Sequence, residues 1–238
     1  NLSISDGATF DSNRAMEQRG GAIALRYPVD VTLSNIILQR NEAVYGGALY
    51  SPGGTPQLQI QNTIVDSNTA TVSGGGVYSN ASILFYIYDS VFRNNEAHTQ
   101  NGGGVYIEPS SNNGVSQQNV LLSNSTFEQN TAVSGNGGAL YRSGAAFVEV
   151  QNSSVSQNGA VNAGGLYLLD GSSLMANTNL TLNYATNDGG ALSLNTSETM
   201  TMNSCVVDHN DAVLSGGGVY ISGGSTLQAT NTLYTDNI

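Results

Sequence analysis

Short runs in which apolar and polar residues alternate recur along the whole chain, as in "VTLSN" (31–35), "LQIQN" (58–62) and "FVEVQN" (147–152). An alternation of period two predicts strands with one face buried. No stretch sustains a period of 3.6, and Gly, Asn, Ser and Thr punctuate every segment. Both features turn the expectation away from helices.

The runs belong to a longer repeat. A Gly-Gly motif followed by an aliphatic residue places Ile23, Leu49, Val77, Val105, Leu140, Leu166, Leu192 and Val219 at steps of 26, 28, 28, 35, 26, 26 and 27 residues. An asparagine precedes each motif: Asn13, Asn41, Asn68, Asn95, Asn130, Asn158, Asn183 and Asn210, with Asn237 as a ninth. Three residues before each asparagine stands an apolar residue: Phe10, Leu38, Val65, Phe92, Phe127, Val155, Leu180, Val207 and Tyr234. Three columns in phase at one period define a solenoid, propeller or array. Propeller blades need about 40 residues for four hairpin-linked strands, and helical repeats need helix formers. The period instead fits one coil of a parallel β-helix with three short strands joined by turns. The expected fold is all-β: a single-domain right-handed parallel β-helix over 1–238, with about eight rungs of roughly 28 residues. The glycines suit sharp bends or close backbone approach, and stacked asparagines can hydrogen-bond from rung to rung.

The motifs "GGAI" (20–23) and "GGAL" (46–49, 137–140, 189–192), together with "FDSN" (10–13), "FRNN" (92–95) and "FEQN" (127–130), resemble the GGA[ILV] and FxxN repeats of the chlamydial polymorphic outer-membrane proteins. That resemblance implies a right-handed β-helix shown at the cell surface and linked to adhesion. The chain departs from that family in its Gly-Gly-Gly rungs and in having one cysteine. More broadly it is similar to pectin-lyase-like β-helix proteins, some of which are enzymes.

Composition narrows the function. The net charge is −11 with six basic residues, all Arg. Nucleic-acid binding needs clustered cations, so it is not expected. The apolar runs are too short for a transmembrane helix. Cys205 stands alone, which leaves no disulfide framework and predicts a small buried thiol. No metal or cofactor motif is present.

A carbohydrate-active enzyme on this fold needs gathered carboxylates, yet no two adjacent rungs stack acids in the columns flanking the ladder asparagines. The densest polar cluster is "DHND" (208–211), read as a solvated turn, and His98 stands apart. No catalytic residue is assigned. The expected function is a non-enzymatic extracellular or cell-surface scaffold, adhesin-like or filament-forming. The alternative is a pectin-lyase-like enzyme or a glycan-binding module.

The fifth position of the glycine motif supplies the candidate contact residues: Tyr50, Tyr78, Tyr106, Tyr141, Tyr167 and Tyr220, interrupted by Ala24 and Ser193. Since the fourth position faces inward, the fifth is expected to face outward, as a stripe that stacks on glycans or a partner surface, or as a self-supporting ladder. The stretch 108–119 has loop composition and offers a second place for a binding feature. Of six Asn-x-Ser/Thr sites, Asn1, Asn80, Asn124, Asn152, Asn179 and Asn195, Asn80 and Asn195 are the expected N-glycosylation acceptors, because they follow the glycine strand in turns. The strand phase at 1–13 and 226–238 shows no capping pattern. Head-to-tail self-association, or continuation of the same solenoid, is therefore expected as the partner arrangement.

Overall fold

The residue just before each ladder asparagine adopts a left-handed backbone conformation, from Ser12 (φ 57°) and Arg40 (φ 53°) through His209 (φ 52°) to Asp236 (φ 46°). That kink divides each rung where alternation alone places no break. The computed structural model describes every residue except 28, 81–83 and 109–118. It holds four parallel sheets rather than the three strands per coil that the sequence predicts, and no helix occurs among the described residues. Sheet 1 runs from Leu2–Ile4 to Thr226–Thr230 and sheet 2 from Thr9–Asp11 to Leu233–Thr235, each with nine strands. Sheet 3 runs from Arg14–Arg19 to Asp211–Ala212 and sheet 4 from Ile23–Ala24 to Val219–Ile221, each with eight. The fourth strand is the short segment after each ladder asparagine, as at Glu96–Ala97.

Every strand pairs with its counterpart one rung away, so the columns seen in the sequence become columns in space. Val65 pairs with Phe92, Phe92 with Phe127, and Phe127 with Val155. Val77, Val105 and Leu140 do the same in sheet 4. These side chains fill one continuous interior with the inward residues of sheet 1, such as Leu58, Phe85 and Val148. Inside it, the rings of Phe92 and Phe127 stack at 5.1 Å.

The glycine motif is explained by contact. Its second glycine is present in all eight motifs because the next rung's backbone lies against it: a Cβ on Gly75 would sit 2.3 Å from the Gly103 carbonyl oxygen. No side chain fits there, whereas the first position accepts Ala163 at φ 53°. The third position is alanine in several rungs, as at Ala48 and Ala139.

The ladder asparagines are fully buried from Asn41 to Asn210. Each side-chain carbonyl accepts two hydrogen bonds from the preceding asparagine. Asn95 Oδ1, for example, accepts from the Asn68 backbone N–H at 3.1 Å and from Asn68 Nδ2 at 3.0 Å. Each Nδ2 then donates to the next asparagine and to the carbonyl of the apolar column residue one rung back, as Asn95 does to Asn130 at 2.9 Å and to Val65 at 2.9 Å. The FxxN spacing therefore encodes a hydrogen-bond circuit as well as a fold of the chain. A second asparagine column lies six residues before the ladder and includes Asn35, Asn62, Asn124 and Asn152; it is exposed and serves as a left-handed corner itself.

The residue after that corner forms a ladder the sequence columns do not announce. Thr63, Ser90, Ser125 and Ser153 are buried, and each backbone N–H donates to the hydroxyl of the next, at 3.1 Å for Thr63 to Ser90 and 3.2 Å for Ser90 to Ser125. Cys205 occupies the same column. Its thiol is buried as expected, and burial pushes its pKa up.

Candidate functional site

Sheet 4 turns its fourth motif position inward and its fifth outward, as the alternation predicts. The outward tyrosines form a cluster of their own, separate from the aliphatic interior. They do not form an accessible stripe. Tyr50, Tyr78, Tyr106 and Tyr141 are only 6–9% exposed.

Their rings stack at 5.4 Å (Tyr50–Tyr78), 4.7 Å (Tyr78–Tyr106) and 5.1 Å (Tyr106–Tyr141), and Tyr167 continues the stack at 5.3 Å from Tyr141. Rung spacing brings the rings to contact distance, and offset stacking at 4.5–7 Å is favourable for aromatic faces. Tyr45, from the end of a sheet 3 strand, closes on Tyr78 edge-to-face at 5.3 Å. The Arg19 guanidinium covers Tyr50 at 4.8 Å. Both faces of Tyr50, Tyr78, Tyr106 and Tyr141 are thus taken by neighbours, which leaves no ring face for a sugar. Tyr167 and Tyr220 are half-buried, and buried Ser193 stands between them in the column.

Burial raises the phenol pKa along the stack, most strongly at Tyr78 and Tyr106. Tyr78 also donates its hydroxyl to Glu108 Oε2 at 2.9 Å, which holds the neutral form further. Because the folded pKa lies above the unfolded value of about 10, this contribution to stability is intact below pH ~10 and is lost as pH rises through the folded value. Phenolate absorbance is expected to show fewer ionised tyrosines at pH ~11 in the native chain than in urea. Identical curves would mean that the ladder is open to water.

Three arginines outside the ladder each pair with a carboxylate one rung away. Arg40 bonds Asp11 and holds its carboxyl down at about 2; Arg93 meets Asp66 at 3.0 Å, and Arg14 meets Glu42. His98 does not stand apart as the sequence suggests, since it pairs with Glu96 at 2.9 Å.

The "DHND" turn gains a member from the next rung. His209 Nδ1 lies 2.7 Å from Asp208 Oδ1, and its Nε2 lies 3.8 Å from Asp236 Oδ2. One ligand atom from each of these three residues lies within 4.8 Å of the others, a set that could hold a metal ion. The hydrogen bond that the His209 ring donates to the Asp208 carboxylate raises the His209 pKa, which favours the imidazolium. Metal binding requires neutral imidazole, so the ion pair and a bound cation compete.

Two features escaped the sequence columns. The first is a fully buried ion pair between Arg142 and Glu198, at 2.7 Å across two rungs. The second is a pocket of about 540 Å³ at the first rung. The predicted glycosylation sites Asn80 and Asn195 are the last residues of sheet 4 strands rather than turn residues, and both are partly buried. Asn195 Nδ2 donates to Ser193 Oγ at 2.8 Å. The 108–119 loop lies outside the described residues except at its two ends.

A family model described as "Right handed beta helix region" matches residues 1–126 and 119–238, which together span the chain. No curated protein and no solved structure matches it.

Proposed function

We propose that this chain, which belongs to the right-handed beta helix family, is a rigid non-enzymatic scaffold displayed outside the cell. The observation that carries this reading is the unbroken asparagine ladder from Asn13 to Asn237, in which every rung commits the same side chain, buried from Asn41 to Asn210, to its neighbours. Tyrosine and hydroxyl ladders run beside it over several rungs. A coil tied at several corners resists local opening and keeps its two ends at a fixed separation. That suits a spacer or adhesin stalk better than a mobile catalytic cleft.

The chlamydial-type GGA[ILV] and FxxN motifs support surface display, and stacking of chains end to end through solenoid pairing is the self-association we propose. Tyr167 and Tyr220, whose stack is incomplete, are the members best placed to meet a glycan or protein partner. Asn80 and Asn195 remain the glycosylation candidates.

The competing reading is a carbohydrate-active enzyme centred on Asp208, His209 and Asp236. The chain should be immobilised on beads, offered to cells and glycan arrays, and assayed in parallel for cleavage of pectin and other acidic glycans. A scaffold is expected to retain cells or glycans without product release. Turnover that vanishes in Asp208→Asn would establish the enzyme and overturn the scaffold.

A further inference from the structure

The tyrosine ladder ends at Tyr50 because its register partner in the first rung is Ala24. The Arg19 guanidinium, not a ring, covers the free face of Tyr50, and beside it the short Ala24 side chain leaves a pocket lined by Ala24, Leu25, Pro52, Tyr50, Arg19 and Arg26 among others. Its size lies within the range of small-molecule sites, roughly 300–1,000 Å³.

Its charge sets it apart from the rest of the molecule. The chain carries a net charge of −11, and its six cations are all Arg. Four of them, Arg14, Arg40, Arg93 and Arg142, each meet a carboxylate. Arg19 and Arg26 have no carboxylate partner among the described residues, and both line this one pocket. Each instead lies over an aromatic ring: Arg19 over Tyr50 at 4.8 Å and Arg26 over Tyr27 at 6.0 Å. Stacking fixes the plane of a guanidinium and leaves its N–H edge free, the geometry that grips a carboxylate with two parallel hydrogen bonds. Ala24, Leu25 and Pro52 add an apolar wall beside those edges.

We propose that this pocket binds a small ring-bearing carboxylate, with its ring against the apolar wall of Ala24, Leu25 and Pro52 and its carboxylate held by Arg19 and Arg26. Neither half of such a ligand suffices alone. A bare anion leaves the apolar wall wet, and a neutral ring leaves two guanidinium groups unmet.

The test is calorimetric and NMR titration of the 238-residue chain with 4-hydroxyphenylacetate, its neutral amide, and acetate as probes. The expected result is saturable one-to-one binding of 4-hydroxyphenylacetate, with the amide and acetate each at least about tenfold weaker, since a charge-assisted hydrogen bond or the ring contact is lost. Arg26→Gln should weaken binding by about tenfold, while Arg14→Gln, outside the pocket, should leave it unchanged. Ala24→Tyr should abolish binding by filling the pocket with its own ring, with the strand signal in circular dichroism retained. Equal affinity for acid and amide, equal loss in Arg14→Gln and Arg26→Gln, undiminished binding by Ala24→Tyr, or no saturable binding would each overturn the proposal.

Discussion

Arg142→Met is expected to destabilise the central rungs by about 3–5 kcal/mol, the usual result of stripping one partner from a buried ion pair. Arg142 and Glu198 are both 0% exposed. The Arg142 Nη2 donates to Glu198 Oε1 at 2.7 Å and to Ser173 Oγ at 3.1 Å, and the Ser173 hydroxyl donates to the same Glu198 oxygen at 2.6 Å. Nη1 donates to the Leu169 carbonyl at 2.7 Å and to that of Gly144 at 3.0 Å. Methionine fills much of the volume but leaves the Glu198 carboxylate in the interior with only Ser173 Oγ as a side-chain donor. Even in the native chain, Arg142 Nε and Glu198 Oε2 have no partner among the described residues, so the site already carries unmet polar groups.

The pair is therefore expected to confer register rather than net stability. The double variant Arg142→Met/Glu198→Leu should recover most of the loss, because an apolar replacement of both charges removes the desolvation penalty altogether. Denaturant unfolding of the two singles and the double decides the matter. A double variant as unstable as either single would show that Arg142 stabilises through its contacts with Leu169 and Gly144, not through the charge pair.

Asn95→Ala is the second large loss, of about 3–5 kcal/mol, from several stranded buried groups each worth ~1–3 kcal/mol. The Asn68 backbone N–H and Nδ2 would lose their acceptor, and the Val65 carbonyl would lose a donor. Asn95 is fully buried, so water does not replace these bonds without opening the corner. In a solenoid each rung contacts mainly its neighbours. Hydrogen exchange should accordingly speed up first in the rungs holding Asn68, Asn95 and Asn130, with the terminal rungs little changed.

The isosteric Asn95→Asp provides the sign of the effect with pH. A carboxylate keeps the acceptor for Asn68 but faces the oxygens of Val65 and Asn130, to which Asn95 now donates at 2.9 Å. The folded state then favours the protonated acid and the folded pKa is raised above the unfolded one, so this variant should gain stability as pH falls through the raised value. Stability of Asn95→Asp that is flat or falling below pH ~6, relative to the parent, would count against a donor role for this side chain.

Several features were legible in the residues themselves. The period near 28, the inward aliphatic column, the outward tyrosine column and the asparagine ladder all follow from one physical fact. In a parallel coil, residues one period apart are neighbours in space, so a repeated sequence position becomes a stack. Tyr78, Tyr106 and Tyr141 could be placed outside the interior from alternation alone.

What alternation could not decide was whether those rings face water. That depends on rung spacing, which closes each ring on the next, and on Tyr45 and Arg19, which come from a different sheet. The fourth sheet was hidden because a left-handed residue such as Arg40 or Gln129 splits a run without breaking its polarity pattern. Arg142, Ser173 and Glu198 share no column, so no periodic reading links them; only the folding of three successive rungs around one corner brings them together. The same holds for Arg19 and Arg26. In the sequence they are two scattered cations, and they acquire a common pocket only because the short Ala24 side chain leaves space beside Tyr50. Local spacing determined the coil and its ladders, while contacts between elements at different phases of the repeat decided burial, charge pairing and the cationic pocket at the first rung.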